Sequence, residues 1–102
     1  MRVIAGAARG ILLKTPEGLR TRPTAERVKE GLFSAIQFEI PGARVLDLFA
    51  GTGQLGIEAL SRGAKSSVFV DAGSEACRLV RENLQRTGLT SQAQVVQADY
   101  LQ

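Results

Sequence analysis

The sequence predicts an α/β domain built on a parallel sheet, and three observations carry that expectation. Beyond residue 42, short apolar runs at 44–49, 67–71 and 94–98 alternate with segments of helical period. These runs are apolar on both sides, as strands buried between helices are, and helices joining consecutive strands imply right-handed crossovers. The first run leads into a glycine-rich turn, Gly51-Thr52-Gly53-Gln54-Leu55-Gly56, at a strand-to-helix joint.

Taken in order, Arg2–Ala5 and Ile11–Thr15 are β-prone runs separated by Gly6, Arg9 and Gly10, which predicts a hairpin with a loop of about 4 to 5 residues. Thr15 to Pro23 holds two prolines and a glycine and reads as a loop. Thr24 is expected to N-cap a helix whose apolar stripe is Val28, Leu32, Phe33 and Ile36 and which stops near Pro41-Gly42. Arg44–Phe49 is the first buried strand, and Gln54–Arg62 a helix with Leu55, Ala59 and Leu60 inward and Gly63 as its stop. Ser67–Asp71 is the second strand. Ser74 is expected to cap a longer helix with an Ala76, Cys77, Val80 and Leu84 face, closed by Gly88, before a third strand at Gln94–Ala98. Three strands are fewer than a doubly wound sheet ordinarily has. The expectation is therefore a domain truncated after its third strand: residues 1–42 form a hairpin-plus-helix extension, and 43–102 the first half of a Rossmann-like domain.

Composition narrows the class. The 102 residues are 44% hydrophobic and 23% charged, with mean hydropathy near zero, which argues against disorder, collagen-like repeats and disulfide scaffolds. The single cysteine, Cys77, has no intrachain partner and reads as a small core residue. No apolar run approaches the roughly 18 residues of a membrane helix, so no membrane partner is expected and a cytoplasmic location is. Charge is uneven along the chain. Residues 1–44 carry eight Lys or Arg against four Asp or Glu, a net of +4, and residues 45–102 five against six, a net of −1. That asymmetry points the N-terminal segment at a polyanion.

The glycine turn carries the chemistry. Gly51 and Gly53 free the backbone to turn sharply and to approach a ligand, and Gly56 lets the helix lie close to the sheet. Asp71 falls 20 residues after Gly51 at the end of the next strand, where an acid can accept hydrogen bonds from ribose hydroxyls. Asp47 sits four residues before Gly51, where its charge repels a pyrophosphate and attracts an ammonium or sulfonium. The electrostatics therefore favour S-adenosylmethionine over NAD, while an Asp47 that merely satisfies loop amides remains the alternative. Asp99, after the third strand, is a further acid placed to meet the adenine.

Asp47-Leu-Phe-Ala-Gly51-Thr-Gly53-Gln-Leu-Gly56-Ile-Glu-Ala-Leu-Ser-Arg-Gly63, with Met1-Arg-Val-Ile-Ala-Gly6-Ala-Ala-Arg-Gly10 and Thr21-Arg-Pro-Thr24-Ala-Glu-Arg-Val28-Lys-Glu-Gly-Leu-Phe33, resembles the RsmD family of bacterial methyltransferases. The resemblance implies a class I S-adenosylmethionine-dependent methyltransferase fold acting on guanine N2 of 16S ribosomal RNA, with the RNA or the small ribosomal subunit as partner. It maps Asp47, Phe49, Gly51, Thr52, Gly53, Asp71 and Asp99 to the cofactor. Arg9, Lys14, Arg20, Arg22, Thr24 and Arg27 are the expected RNA-facing residues. No metal is implied, because a sulfonium is already an activated leaving group. The family's Asp/Asn-Pro-Pro-Tyr catalytic motif does not occur in the 102 residues, so no catalytic residue is assigned and the chain alone is expected to be inactive and to self-associate through an exposed sheet edge. Two other classes remain open: a non-catalytic RNA-binding module, and a methyltransferase with another substrate. A dinucleotide oxidoreductase is disfavoured by Asp47.

Overall fold

The computed structural model describes residues 1–16, 23–48 and 50–99. After an irregular N-terminal arm come helix α1 (Pro23–Ile36), strand β1 (Arg44–Leu48), α2 (Gln54–Ser61), β2 (Ser66–Asp71), α3 (Ser74–Thr87), a 3-10 turn (Thr90–Gln92) and β3 (Ala93–Gln97). The strands are parallel in the order β1-β2-β3. Their register aligns Val45, Ser67 and Ala93, and next Asp47, Phe69 and Val95, on one face. Val45, Phe69, Ala93 and Val95 pack there into a single core with Ile57 and Leu60 of α2 and Val80 and Leu84 of α3.

The opposite face of the sheet carries Leu46 and Val68, then Leu48, Val70 and Val96. Val70 is buried there, but none of these joins the cluster around Phe69, and Leu46 is 63% exposed. Strands apolar on both sides were expected to be covered on both. Helices α2 and α3 lie on one side only, because both follow strands added in the same direction and right-handed crossovers deliver both to the same side.

Local signals decide the helix ends. Gly63 at φ +104 follows the last turn of α2, and Gly88 at φ +72 caps α3, as expected of each. Gly56 is where helix meets sheet: a Cβ there would lie 2.4 Å from the Phe69 ring. Three expectations need correction. Helix α1 begins at Pro23, one residue ahead of the Thr24 cap, with proline in the first turn where its missing N–H costs no helical bond. It also stops at Ile36, short of Pro41. Ser74 lies inside α3, whose cap is Gly73; the carboxylate of Asp71 takes the Gly73 N–H instead. Third, the apolar stripe of α1 is rotated and Leu55 of α2 faces outward, while Ala59, Leu60, Cys77, Val80 and Leu84 are buried as expected. Val28 (67%), Leu32 (46%) and Leu55 (42%) are exposed, and α1 buries Lys29 and Phe33, because the Lys29 ammonium has a buried partner on α2.

The expected N-terminal hairpin is present without a regular ladder. Val3 N–H donates to Ile11 (3.0 Å), Gly10 N–H to Val3 (2.8 Å) and Leu13 N–H to Met1 (2.7 Å), but Arg2 and Leu12 form only an isolated bridge. The amides that would extend it are committed to α2. Ile4 and Ala5 donate to the Glu58 carboxylate, Ala7 to the Ser61 carbonyl and Ala8 to Ser61 Oγ. Gly6, at φ +90, passes so close that a Cβ would stand 1.8 Å from the Ser61 carbonyl oxygen. Val3, Ala8 and Leu13 enter the same core as Phe33 and Phe69.

Candidate cofactor site

The turn between β1 and α2 is shaped by two left-handed glycines, Gly51 at φ +59 and Gly53 at φ +82. L-residues with a Cβ resist that conformation. Gly53 is also closely packed, since a Cβ would lie 3.3 Å from the Ile57 and Val80 side chains, which would have to give way. Asp71 fastens the turn from the next strand: its Oδ2 accepts the Gly51 N–H at 3.1 Å and its Oδ1 the Gly73 N–H at 2.9 Å. The Asp71 carbonyl accepts Ala98 N–H at 3.0 Å, so one residue links the segments that follow all three strands. Cys77, free and buried, directs its thiol at the same carbonyl.

Asp47 is buried beneath this turn, with Oδ2 accepting the Gly56 N–H at 3.2 Å in the first turn of α2. Burial pushes its carboxyl above the ordinary value, the Gly56 N–H opposes this, and the neighbouring Asp71 charge adds to the rise. A desolvated carboxylate that faces another acid suits a cation and repels a phosphate. Asp47 thus satisfies a backbone amide, which was the alternative reading of its place in the sequence. Asp47 also borders a groove of about 220 Å³ with Phe33, Ile36, Ile40, Leu46 and Leu55.

Thr52 is half-buried, and its carbonyl accepts Asn83 Nδ2 at 2.9 Å. Asp99 is exposed, two residues beyond β3. Phe49 lies outside the described residues, as do Arg20 and Arg22, and the Thr24 side chain is likewise outside them. Of the other expected RNA-facing residues, Arg9 and Arg27 are exposed. Lys14 pairs with Glu82 at 2.8 Å, and Glu82 also takes Arg78.

Four residues that shape this region escaped the sequence reading. Glu58, fully buried, meets Lys29 Nζ at 3.4 Å and Arg62 Nε at 2.8 Å besides its two arm amides. Lys29 Nζ also donates to the Arg2 carbonyl, and burial lowers its pKa against the pull of Glu58. Ser61 Oγ donates to the Ala5 carbonyl. Asn83 is fully buried on α3. The available signal was a polar residue in a core register: Glu58 between Ile57 and Ala59, and Asn83 beside Leu84 one turn after Val80.

Parallel strands, a glycine turn into a helix and acids at the strand ends define the Rossmann-like class I methyltransferase fold, here with its first three strands. A solved structure named “Putative methyltransferase yhhF from Escherichia coli” superposes with TM-score 0.83 at 35% identity, over 97% of this chain and 52% of that one. The family model described as Conserved hypothetical protein 95 matches residues 1–102, and the chain belongs to this family, that of the RsmD methyltransferases. It is 50% identical over 99 residues to “Putative rRNA methyltransferase YlbH” of Bacillus subtilis, covering 97% of this chain and 54% of that protein. It is 41% identical over 97 residues to “Ribosomal RNA small subunit methyltransferase D” of Haemophilus influenzae, covering 94% of this chain and 50% of that protein. The chain therefore spans about half the length of the curated relatives it matches.

Proposed function

We propose that this chain is the cofactor-binding half of an S-adenosylmethionine-dependent methyltransferase that modifies guanine N2 of 16S ribosomal RNA. What chiefly supports the reading is the pairing of a Gly51–Gly53 turn stapled by Asp71 with a buried, charge-starved Asp47 below it. The residues fit the cofactor. Asp47 answers its cationic methionine end, Asp71 has lone pairs left for ribose hydroxyls, Gly51, Thr52 and Gly53 offer a close backbone approach, Asp99 is placed to meet the adenine, and the family resemblance carries Phe49 to the same site. Bound there, the cofactor supplies an electrophilic methyl group on a sulfonium. The chain's own part is to bind and orient: Asp71 holds the turn in its left-handed shape, and Gly56 fixes Asp47 by backbone donation.

Residues 1–42 form the RNA-facing extension, with Arg9, Lys14, Arg20, Arg22, Thr24 and Arg27 as its RNA-facing residues. Its partner is 16S ribosomal RNA or the small subunit that contains it, in the cytoplasm. Among the described residues no helix is long and apolar enough to cross a membrane. No Asp/Asn-Pro-Pro-Tyr motif occurs in the sequence, so the chain alone transfers no methyl group, and its uncovered β1 edge favours self-association. A tritiated-methyl transfer assay on 16S ribosomal RNA tests the pairing of fold and activity. A full-length relative carrying these residues labels the RNA and this chain does not; labelling by the 102 residues alone would contradict the division of labour.

A further inference from the structure

Asn83 stands apart from the cofactor turn and from the basic arm, yet its side chain touches the backbone of both. It is fully buried in the middle of α3. Its Oδ1 accepts the Lys14 N–H at 2.7 Å, and its Nδ2 donates to the Lys14 carbonyl and to the Thr52 carbonyl, each at 2.9 Å. The amide thus imitates one rung of a β-ladder to the arm while spending its second donor on the glycine turn. It cannot be flipped, because the reversed amide would set NH2 against the Lys14 N–H and oxygen against two carbonyls. Any shift of Thr52 that breaks its bond leaves a buried donor unpaired or drags the amide, and with it Lys14, out of register.

We propose that Asn83 is a positioning residue that couples the two surfaces, so that filling the cofactor turn fixes the arm at Lys14, and RNA on the arm in turn tightens the cofactor. The inference rests on the proposed cofactor site and RNA-facing arm, and it deepens them by naming the link. Its physical content is one shared side chain with two occupied ends, so that a displacement at either end is felt at the other. By linkage the effect is reciprocal for the two affinities. The neighbouring anchors of the same arm segment, Arg86 Nε to the Leu12 carbonyl and Lys14 Nζ to Glu82, hold it to α3 but do not reach the turn.

The test is amide hydrogen exchange on the full 102-residue chain with and without saturating S-adenosylmethionine, followed by the same measurement on Asn83→Asp and Asn83→Ala. Asn83→Asp keeps the shape and the acceptor for Lys14, loses both donated bonds and sets a carboxylate oxygen against the Lys14 and Thr52 carbonyls; Asn83→Ala removes the bonds without that repulsion. In the parent, cofactor slows exchange of the Gly53 amide and also of the Lys14 amide, several-fold. In Asn83→Asp, cofactor affinity falls by at least roughly 2- to 12-fold, the range for the one neutral hydrogen bond lost at Thr52, and the Lys14 response disappears while that of Gly53 persists. A purely structural Asn83 would lower basal protection and leave the cofactor-induced change at Lys14 intact. Parent chain in which cofactor protects Gly53 and not Lys14 overturns the coupling and leaves the cofactor site standing. Absence of any response at Gly53 overturns the cofactor site, and the coupling with it.

Discussion

Glu58 concentrates more of the structure than any motif residue. Its carboxylate, with no exposed surface, receives Lys29, Arg62 and two arm amides, and Arg62 lies over the Phe33 ring at 4.9 Å. Removing one partner from a buried pair leaves an uncompensated charge, which costs about 3–5 kcal/mol. Urea unfolding of Glu58→Ala is expected to show that loss. Lys29→Met should lose less, since Glu58 keeps Arg62 and both backbone donors. The reverse order would mean that Lys29 carries the network. Asp47 is expected to act in the opposite sense. Its folded pKa is raised by burial, so the stability of the protonated form is fully present below the ordinary carboxylate range and is lost as pH rises through the folded value. Asp47→Asn, still able to accept the Gly56 N–H, should therefore be more stable than the parent at pH 7, with the advantage vanishing in acid, and should bind S-adenosylmethionine more weakly. Equal stability at both pH values would remove the buried-charge argument. The sequence showed Asp47, Asp71 and the glycines because strand-to-helix spacing identifies them. Glu58 and Asn83 stand in core registers, but a polar residue there has no assignable role until its partners, the arm backbone and Thr52, are known.

At the level of elements, the arm and α2 behave as one piece. The hairpin was legible from Gly6 and Gly10 flanked by β-prone runs, but its fastening was not, since backbone amides turning to Glu58 and Ser61 leave no trace in a residue pattern. Gly6→Ala should be among the most damaging small substitutions. It sets a Cβ into the Ser61 carbonyl at positive φ, adding about 1–3 kcal/mol of crowding to roughly 1–2 kcal/mol of backbone strain. A melting temperature within a degree of the parent would show that the arm sits elsewhere in solution. The charges on this arm are expected to differ in their use. Arg9 is exposed, and Arg9→Ala should reduce the magnitude of the log–log salt slope of RNA binding by about 0.7–0.9. Lys14→Ala should reduce it less, because Glu82 already answers that ammonium. Filter binding across a salt series separates them, and unchanged slopes in both variants would return the arm to an ordinary solvated surface.

For the molecule as a whole, the alternation of strand and helix was readable from residue 44 onward, and the one-sided covering of the sheet was not. Apolar strands announce burial without saying which chain segment provides it. Leu46 and Leu48 on the uncovered face, beside a β1 edge that pairs only with β2 among the described strands, are expected to drive association. Light scattering over a concentration series should show dimers or larger species that Leu46→Lys disperses; a monomer at every concentration would contradict this. The glycine turn, Asp47 and Asp71 are proposed to bind S-adenosylmethionine. Isothermal titration of S-adenosylmethionine into the chain and into Asp71→Ala tests this most directly. Loss of the charge-assisted hydrogen bonds of Asp71 should weaken binding by roughly 10- to 150-fold, and equal affinity in the two proteins, or no binding to either, would contradict the account.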